Sequence, residues 1–197
     1  GYEAYVSKRL ADLVCNLSVG EIIQDHAVYQ ASRGMEDYYE RIQKKTADFL
    51  EICCELGGMV GGMDRDEMKK LAEYGHCIGM AFQITDDLLD IEQTAETIGK
   101  PAGNDIRQGI VTLPVIRALE TSPDAEELER IVTDMEMTDA MVERALAIVK
   151  ATDGVDYAKA KADAYLARAK ASLPEGLPED IRESYIMVAD FIGNRNF

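Results

Sequence analysis

Apolar residues recur at steps of three and four along nearly the whole chain, with no strand-like sustained alternation of apolar and polar residues. Leu10, Leu13, Val14, Leu17 and Glu21 follow this spacing, as do Tyr38, Ile42, Thr46, Phe49, Leu50 and Cys53. That period builds amphipathic helices and leaves no face for a strand. The expectation is an all-α fold in one domain spanning 1–197, with the motifs in 1–120 and shorter helices in 121–197.

The spacing predicts a long helix from Tyr2 to about Ala31 and a second from about Met35 to Met59. The Gly57-Gly58 and Gly61-Gly62 pairs mark the end of the second helix or a close helix crossing. A third helix is predicted from about Arg65 to Ile91, capped by Asp64 or Asp66. Glu92 to Asn104 is expected to be loop, because Gly99, Pro101 and Gly103 break helices. Helices over about Thr112–Glu120, Ala125–Glu136, Asp139–Thr152, Gly154–Ser172 and Pro178–Asn194 follow, punctuated by Pro123, Gly154 and the Pro174–Pro178 stretch.

Charge narrows the function classes. Lys and Arg number 21 against 37 Asp and Glu, a net charge of −16. That balance argues against a nucleic-acid binder, which needs a basic face, and disfavours docking on an anionic membrane surface. Apolar residues make up 47%, too many for a disordered acidic tail. No apolar run reaches the roughly 20 residues of a transmembrane helix. Cys15, Cys53, Cys54 and Cys77 form no Cys-x-x-Cys pair, and their plain reading is small buried hydrophobes in a reducing cytosol. The expected location is cytoplasmic.

One stretch carries concentrated chemistry: Phe82-Gln83-Ile84-Thr85-Asp86-Asp87-Leu88-Leu89-Asp90. Asp86 and Asp90 lie four apart and so share a helix face, with Asp87 beside them. Three adjoining carboxylates repel one another unless water or a cation compensates. Magnesium suits them, since it takes a few carboxylates and completes its octahedron with water and phosphates. A solvated acidic face is the competing reading in so acidic a chain. The apolar neighbours Phe82, Ile84, Leu88, Leu89 and Ile91 instead point to the wall of a greasy cavity.

Two cationic points accompany the cluster. Lys100 sits on the Gly99-to-Gly103 loop, where it meets an anion or simply water. Lys45, in Lys44-Lys45-Thr46, either binds phosphate beside a hydroxyl or belongs to an exposed basic turn, with Thr46 on the core-facing stripe. A carboxylate cluster, two lysines and an apolar helical wall together fit a diphosphate with a hydrocarbon tail. Metal and lysines would stabilise the leaving diphosphate, while the helices keep water from the carbocation. Met59, Met63, Met68 and Met80 are read as core or gap fillers, and Arg195 either reaches a diphosphate or, more simply, belongs to a solvated terminus.

The ordered set resembles the trans-isoprenyl diphosphate synthases, also called polyprenyl synthetases. Phe82, Gln83, Asp86, Asp87 and Asp90 match that family's second aspartate-rich motif. Gly99-Lys100, Asp105 and Thr112-Leu113-Pro114 are similar to its next block. Lys45-Thr46 resembles its Lys-Thr pair, and Gly20-Glu21-Ile22-Ile23-Gln24 its Gly-Glu-x-x-Gln motif. The last third is similar only in helical character.

The resemblance implies an isoprenoid-synthase-type helical bundle and Mg2+-dependent condensation of an allylic prenyl diphosphate with isopentenyl diphosphate. It implies that Asp86 is a direct magnesium ligand, with Asp87 and Asp90 in the same cluster, partly through water. Lys45 and Lys100 would hold the allylic diphosphate, and Thr46 and Gln83 would line the reacting carbons. Gln24 would face the same cavity, and Phe82 would pack near isopentenyl diphosphate.

The family's first aspartate-rich motif and its arginine pair, carried on an earlier helix, have no counterpart here. The expectation is therefore the carboxy-terminal portion of a longer synthase, lacking its amino-terminal helices. It would act as a homodimer or paired with a missing amino-terminal portion. A non-catalytic binding or regulatory subunit of a heteromeric synthase is the alternative. A terpene cyclase fits the Gly-Lys loop less well.

Overall fold

The computed structural model describes residues 2–92 and 102–195. Among these the protein is all-α. Its helices are α1 (Tyr2–Ala27), α2 (Met35–Ile42), α3 (Asp48–Val60), α4 (Arg65–Glu92), α5 (Asn104–Arg107), α6 (Leu113–Thr121), α7 (Ala125–Val132), α8 (Asp139–Lys150), α9 (Gly154–Ser172) and α10 (Glu179–Gly193). A π turn, Gln43–Ala47, separates α2 from α3.

The chain forms two compact units. The first comprises Gly1–Ile22, Glu40–Gln83 and Ala162–Arg195. Its core draws Leu71, Tyr74, Ile78 and Ala81 from α4, Leu166 and Ala169 from α9, and Ala189 and Ile192 from α10. The second comprises Ile23–Tyr39 and Ile84–Lys161. Within it α6, α7 and α8 pack mutually, and α5 rests on α8. Leu113, Leu128, Val142 and Val149 are among its fully buried side chains from those helices.

Local signals account for several boundaries. Asp64 caps α4: its Oδ1 accepts the backbone N–H groups of Asp66 at 2.8 Å and Glu67 at 2.9 Å, while Glu67 Oε2 accepts the Asp64 N–H at 3.3 Å. This is a reciprocal capping arrangement. Thr138 Oγ1 caps α8 by accepting the Met141 N–H at 3.3 Å. Pro114 stands in the first turn of α6, where its missing N–H costs nothing. α9 spans Gly154–Ser172, as the spacing predicts.

Four boundaries depart from expectation. α1 stops at Ala27 rather than near Ala31. Tyr29 there takes a left-handed φ of 58° and donates its N–H to Gly109 O at 2.8 Å. An added Cβ on Gly109 would lie 2.5 Å from Tyr29 Cδ1, so this tertiary contact ends the helix. The predicted Met35–Met59 helix is interrupted by the π turn. α7 closes at Val132, four residues early. Asn104–Arg107, expected beside a loop, forms the short α5.

Candidate functional site

The π turn carries Lys45 and Thr46, and two glycines frame it. A Cβ on Gly20 of α1 would fall 2.9 Å from Lys45 N, and one on Gly79 of α4 would fall 2.5 Å from Ala47 Cα. Only hydrogen side chains let both helices approach the widened backbone so closely. The turn itself is closed by the Asp48 N–H donating to Gln43 O, the longer step that defines a π bulge.

This geometry links motifs that lie far apart in sequence. Glu21, next to Gly20, pairs with Lys45 Nζ at 3.1 Å. Thr46 Oγ1 donates to Gln83 Oε1 at 3.1 Å. The Gly-Glu pair of α1, the Lys-Thr pair of the π turn and Gln83 of α4 thus belong to one constellation within the first unit. Phe82 is partly buried against the core of that unit. Arg195 Cζ lies 4.9 Å from the Phe82 ring centre. The solvated-terminus reading of Arg195 is corrected accordingly, because the guanidinium stacks on an aromatic face.

In the second unit, the three aspartates stand on the last turns of α4 in different settings. Asp86 is exposed. Asp87 is buried, 6% exposed, and its Oδ2 accepts the Tyr38 hydroxyl proton at 2.7 Å. Asp90 is half-buried, with Oδ1 accepting the Asn104 N–H at 3.0 Å and Oδ2 the Asp105 N–H at 2.9 Å. Its carbonyl accepts the Gly103 N–H at 2.9 Å. Sequence spacing places the three side by side and gives no sign of these partners.

Gln24 lies half-buried on α1 in the second unit. Lys100 lies outside the described residues.

Sequence reasoning also missed a polar group in the first unit. Asp48, Glu51 and His76 place one ligand atom each within 4.8 Å of one another. Their partners are already protein groups. Asn16 Nδ2 donates to Asp48 at 2.7 Å, and Glu51 meets His76 Nδ1 at 3.3 Å and Arg9 at 3.7 Å.

The cysteines only partly follow expectation. Cys77 is buried and Cys54 half-buried, but Cys15 and Cys53 are exposed. Burial pushes the Cys54 thiol up to about 11. Cys77 rises to about 12, first through burial and then through its hydrogen bond to Glu73.

Residues 2–149 match the family model described as polyprenyl synthetase. The chain belongs to the polyprenyl synthetase family. Heptaprenyl diphosphate synthase component 2 of Bacillus subtilis is 35% identical over 191 residues, 95% of this chain and 53% of that protein. A short chain isoprenyl diphosphate synthase of Methanothermobacter thermautotrophicus is 38% identical over 161 residues, 81% of this chain and 49% of that protein. The polyprenyl synthetase chain thus spans about half the length of the curated relatives it matches.

Solved structures agree on the fold. A decaprenyl diphosphate synthase from Rhodobacter capsulatus superimposes with a TM-score of 0.89 at 30% identity, covering 98% of this chain and 60% of that one. A Caulobacter crescentus polyprenyl synthase, solved with calcium and isoprenyl diphosphate, gives 0.88 at 32% identity over the same shares. The polyprenyl synthetase fold here is the all-α isoprenoid-synthase fold. Among the described residues, no helix is long and apolar enough to cross a membrane.

Proposed function

We propose that the protein to which this chain belongs is a prenyltransferase that condenses an allylic prenyl diphosphate with isopentenyl diphosphate. One observation carries the reading. In a chain of this family, the run Phe82-Gln83-x-x-Asp86-Asp87-x-x-Asp90 stands on one continuous helix, α4.

The donor set of α4 suits magnesium. Asp86 offers an exposed carboxylate, and the buried Asp87 beside it accepts the Tyr38 hydroxyl proton through Oδ2. Magnesium is characteristically held by one or two carboxylates plus water and substrate phosphates. Asp86 is the direct ligand in this reading, with Asp87 adjoining. Bound Mg2+ would neutralise charge on the departing diphosphate.

The chain's own residues take the remaining roles. Lys45 and Lys100 hold the allylic diphosphate. Glu21 keeps the Lys45 ammonium oriented before substrate arrives. Thr46 and Gln83, joined by their hydrogen bond, present oxygen dipoles to the allylic cation. Gln24 lines the substrate path, and Phe82 packs near isopentenyl diphosphate. The allylic C–O bond breaks, the isopentenyl double bond supplies the electron pair for the new C–C bond, and a proton is lost from the adjacent carbon. The products are a longer diphosphate and inorganic diphosphate.

The test is Asp86→Ala in the full-length protein, assayed with radiolabelled isopentenyl diphosphate. Loss of Mg2+-dependent condensation by at least about a hundredfold is expected. Near-normal turnover would overturn the assignment.

A second reading is kept because relatives from Bacillus subtilis and Geobacillus stearothermophilus are named component 2 of a heptaprenyl diphosphate synthase. There the chain serves as one subunit of a heteromeric synthase. Condensation that appears only when a partner polypeptide is added would favour that reading over a self-sufficient homodimer.

A further inference from the structure

The third aspartate of the α4 run is held differently from the other two. Both carboxylate oxygens of Asp90 accept backbone N–H groups, from Asn104 at 3.0 Å and Asp105 at 2.9 Å. The Asp90 carbonyl takes a third, from Gly103 at 2.9 Å. One residue near the end of α4 thus satisfies three consecutive backbone donors at the start of α5. These are donors that a helix start would otherwise leave without partners. An ionised carboxylate is the strongest side-chain acceptor for such groups.

The receiving backbone is held from its other side too. Gly103 has φ 76°, a left-handed conformation that favours glycine. A Cβ there would come within 2.8 Å of Val142 Cγ1 on α8. Ile106, three residues on, is 2% exposed. Arg107 pairs with Asp139 at the start of α8. The turn 103–107 is therefore fixed between α4 and α8, with Asp90 as its polar anchor on α4.

We propose that Asp90 is a positioning residue, a latch that ties the Gly103–Asp105 backbone to α4, and that the divalent cation is carried by Asp86 and Asp87 without it. This revises the sequence expectation, which grouped all three carboxylates around the metal. It rests on the prenyltransferase reading only for the cation; the latch itself stands on the hydrogen bonds. A carboxylate with both oxygens committed to backbone amides would have to surrender them to enter a metal's inner shell. Asp86 is exposed, where a hydrated cation reaches it.

The test compares Asp90→Asn, Asp90→Ala and Asp86→Asn in this chain by two readouts. One is backbone amide exchange at Asn104 and Asp105. The other is Mn2+ binding in the presence of inorganic diphosphate, followed by electron paramagnetic resonance. Asp90→Ala should speed exchange at both amides by about tenfold or more, the loss expected for a hydrogen bond to a charged group. Asp90→Asn keeps one acceptor oxygen and should speed exchange mainly at one amide. It serves alone if the alanine variant does not fold.

Both Asp90 variants should keep Mn2+ affinity within about threefold, whereas Asp86→Asn should weaken it about tenfold and leave the two amides protected. Asp90→Asn weakening Mn2+ as far as Asp86→Asn, with exchange unchanged, would overturn the latch. If the unmodified chain binds no Mn2+ under these conditions, the cation assignment to α4 fails. The exchange readout still decides the latch: faster exchange in the variants supports it, and unchanged exchange overturns it.

Discussion

Thr46 Oγ1 donates to Gln83 Oε1 at 3.1 Å, joining the π turn to the middle of α4. The bond spans 37 residues of sequence and is partly buried. It fastens the widened backbone to α4 through a side chain. Thr46→Val removes the donor while keeping the branched shape. The expected cost is about 1 kcal/mol, the usual net worth of such a bond plus a part-desolvated acceptor left behind. Urea unfolding of the two proteins, compared at equal m-value, measures it.

Gly79 and Gly57 should respond in opposite directions to the same substitution. At Gly79 a Cβ would sit 2.5 Å from Ala47 Cα, so α4 and the π turn must separate. Gly79→Ala should cost about 1–3 kcal/mol, the range for overpacking a close contact. At Gly57, inside α3, nothing lies within 4 Å of the added carbon. Gly57→Ala should stabilise by about 0.5–1 kcal/mol, the helix preference for alanine. Thermal unfolding of both variants checks the sign of each.

Thiol accessibility should divide the four cysteines. Cys15 and Cys53 are exposed, while Cys54 and Cys77 are shielded and their thiols are raised to about 11 and about 12. A thiolate is the reacting species, so raised and buried thiols react slowly. Brief iodoacetamide treatment of the native protein, followed by peptide mass mapping, should modify Cys15 and Cys53. Cys54 and Cys77 should label only after denaturation.

The cap of α4 should make stability depend on acid. The backbone N–H groups of Glu67 and then Asp66 hold the Asp64 carboxyl below its ordinary value of 3.8. A carboxylate depressed on folding contributes stability above its unfolded pKa and loses it as pH falls through the folded value. Asp64→Ala should therefore lower Tm at neutral pH, and the gap to the parent protein should close as the pH drops below 3.8. A gap that persists in acid would mean that the cap acts without its charge.

Much of this was legible in the residues. The start of α4 at Arg65 followed from Asp64, and its continuous apolar spacing carried the helix through Asp90. The helix expected over about Thr112–Glu120 is α6, with Pro114 in the first turn, where a helix start accepts it. The grouping of Glu21 with Lys45, and of Thr46 with Gln83, was foreseen only as shared motifs, not as contacts. The three aspartates gave identical sequence signals yet occupy three settings. Asp86 is exposed, Asp87 meets Tyr38, and Asp90 meets the backbone of Asn104 and Asp105.

The sequence by itself determined the all-α class, most helix spans and the motif order. Those depend on the 3.6-residue period, on capping groups and on proline and glycine breaks, which act within a few residues. Tertiary structure alone decided the π turn at Gln43–Ala47, the end of α1 at Ala27 and the separate employment of Asp86, Asp87 and Asp90. Each of these turns on a partner distant in the chain: Gly20 and Gly79 for the π turn, Gly109 for Tyr29, and the Asn104–Asp105 amides for Asp90. A side chain's hydrogen-bond partner and the room beside a backbone are properties of packing, and local spacing does not encode them.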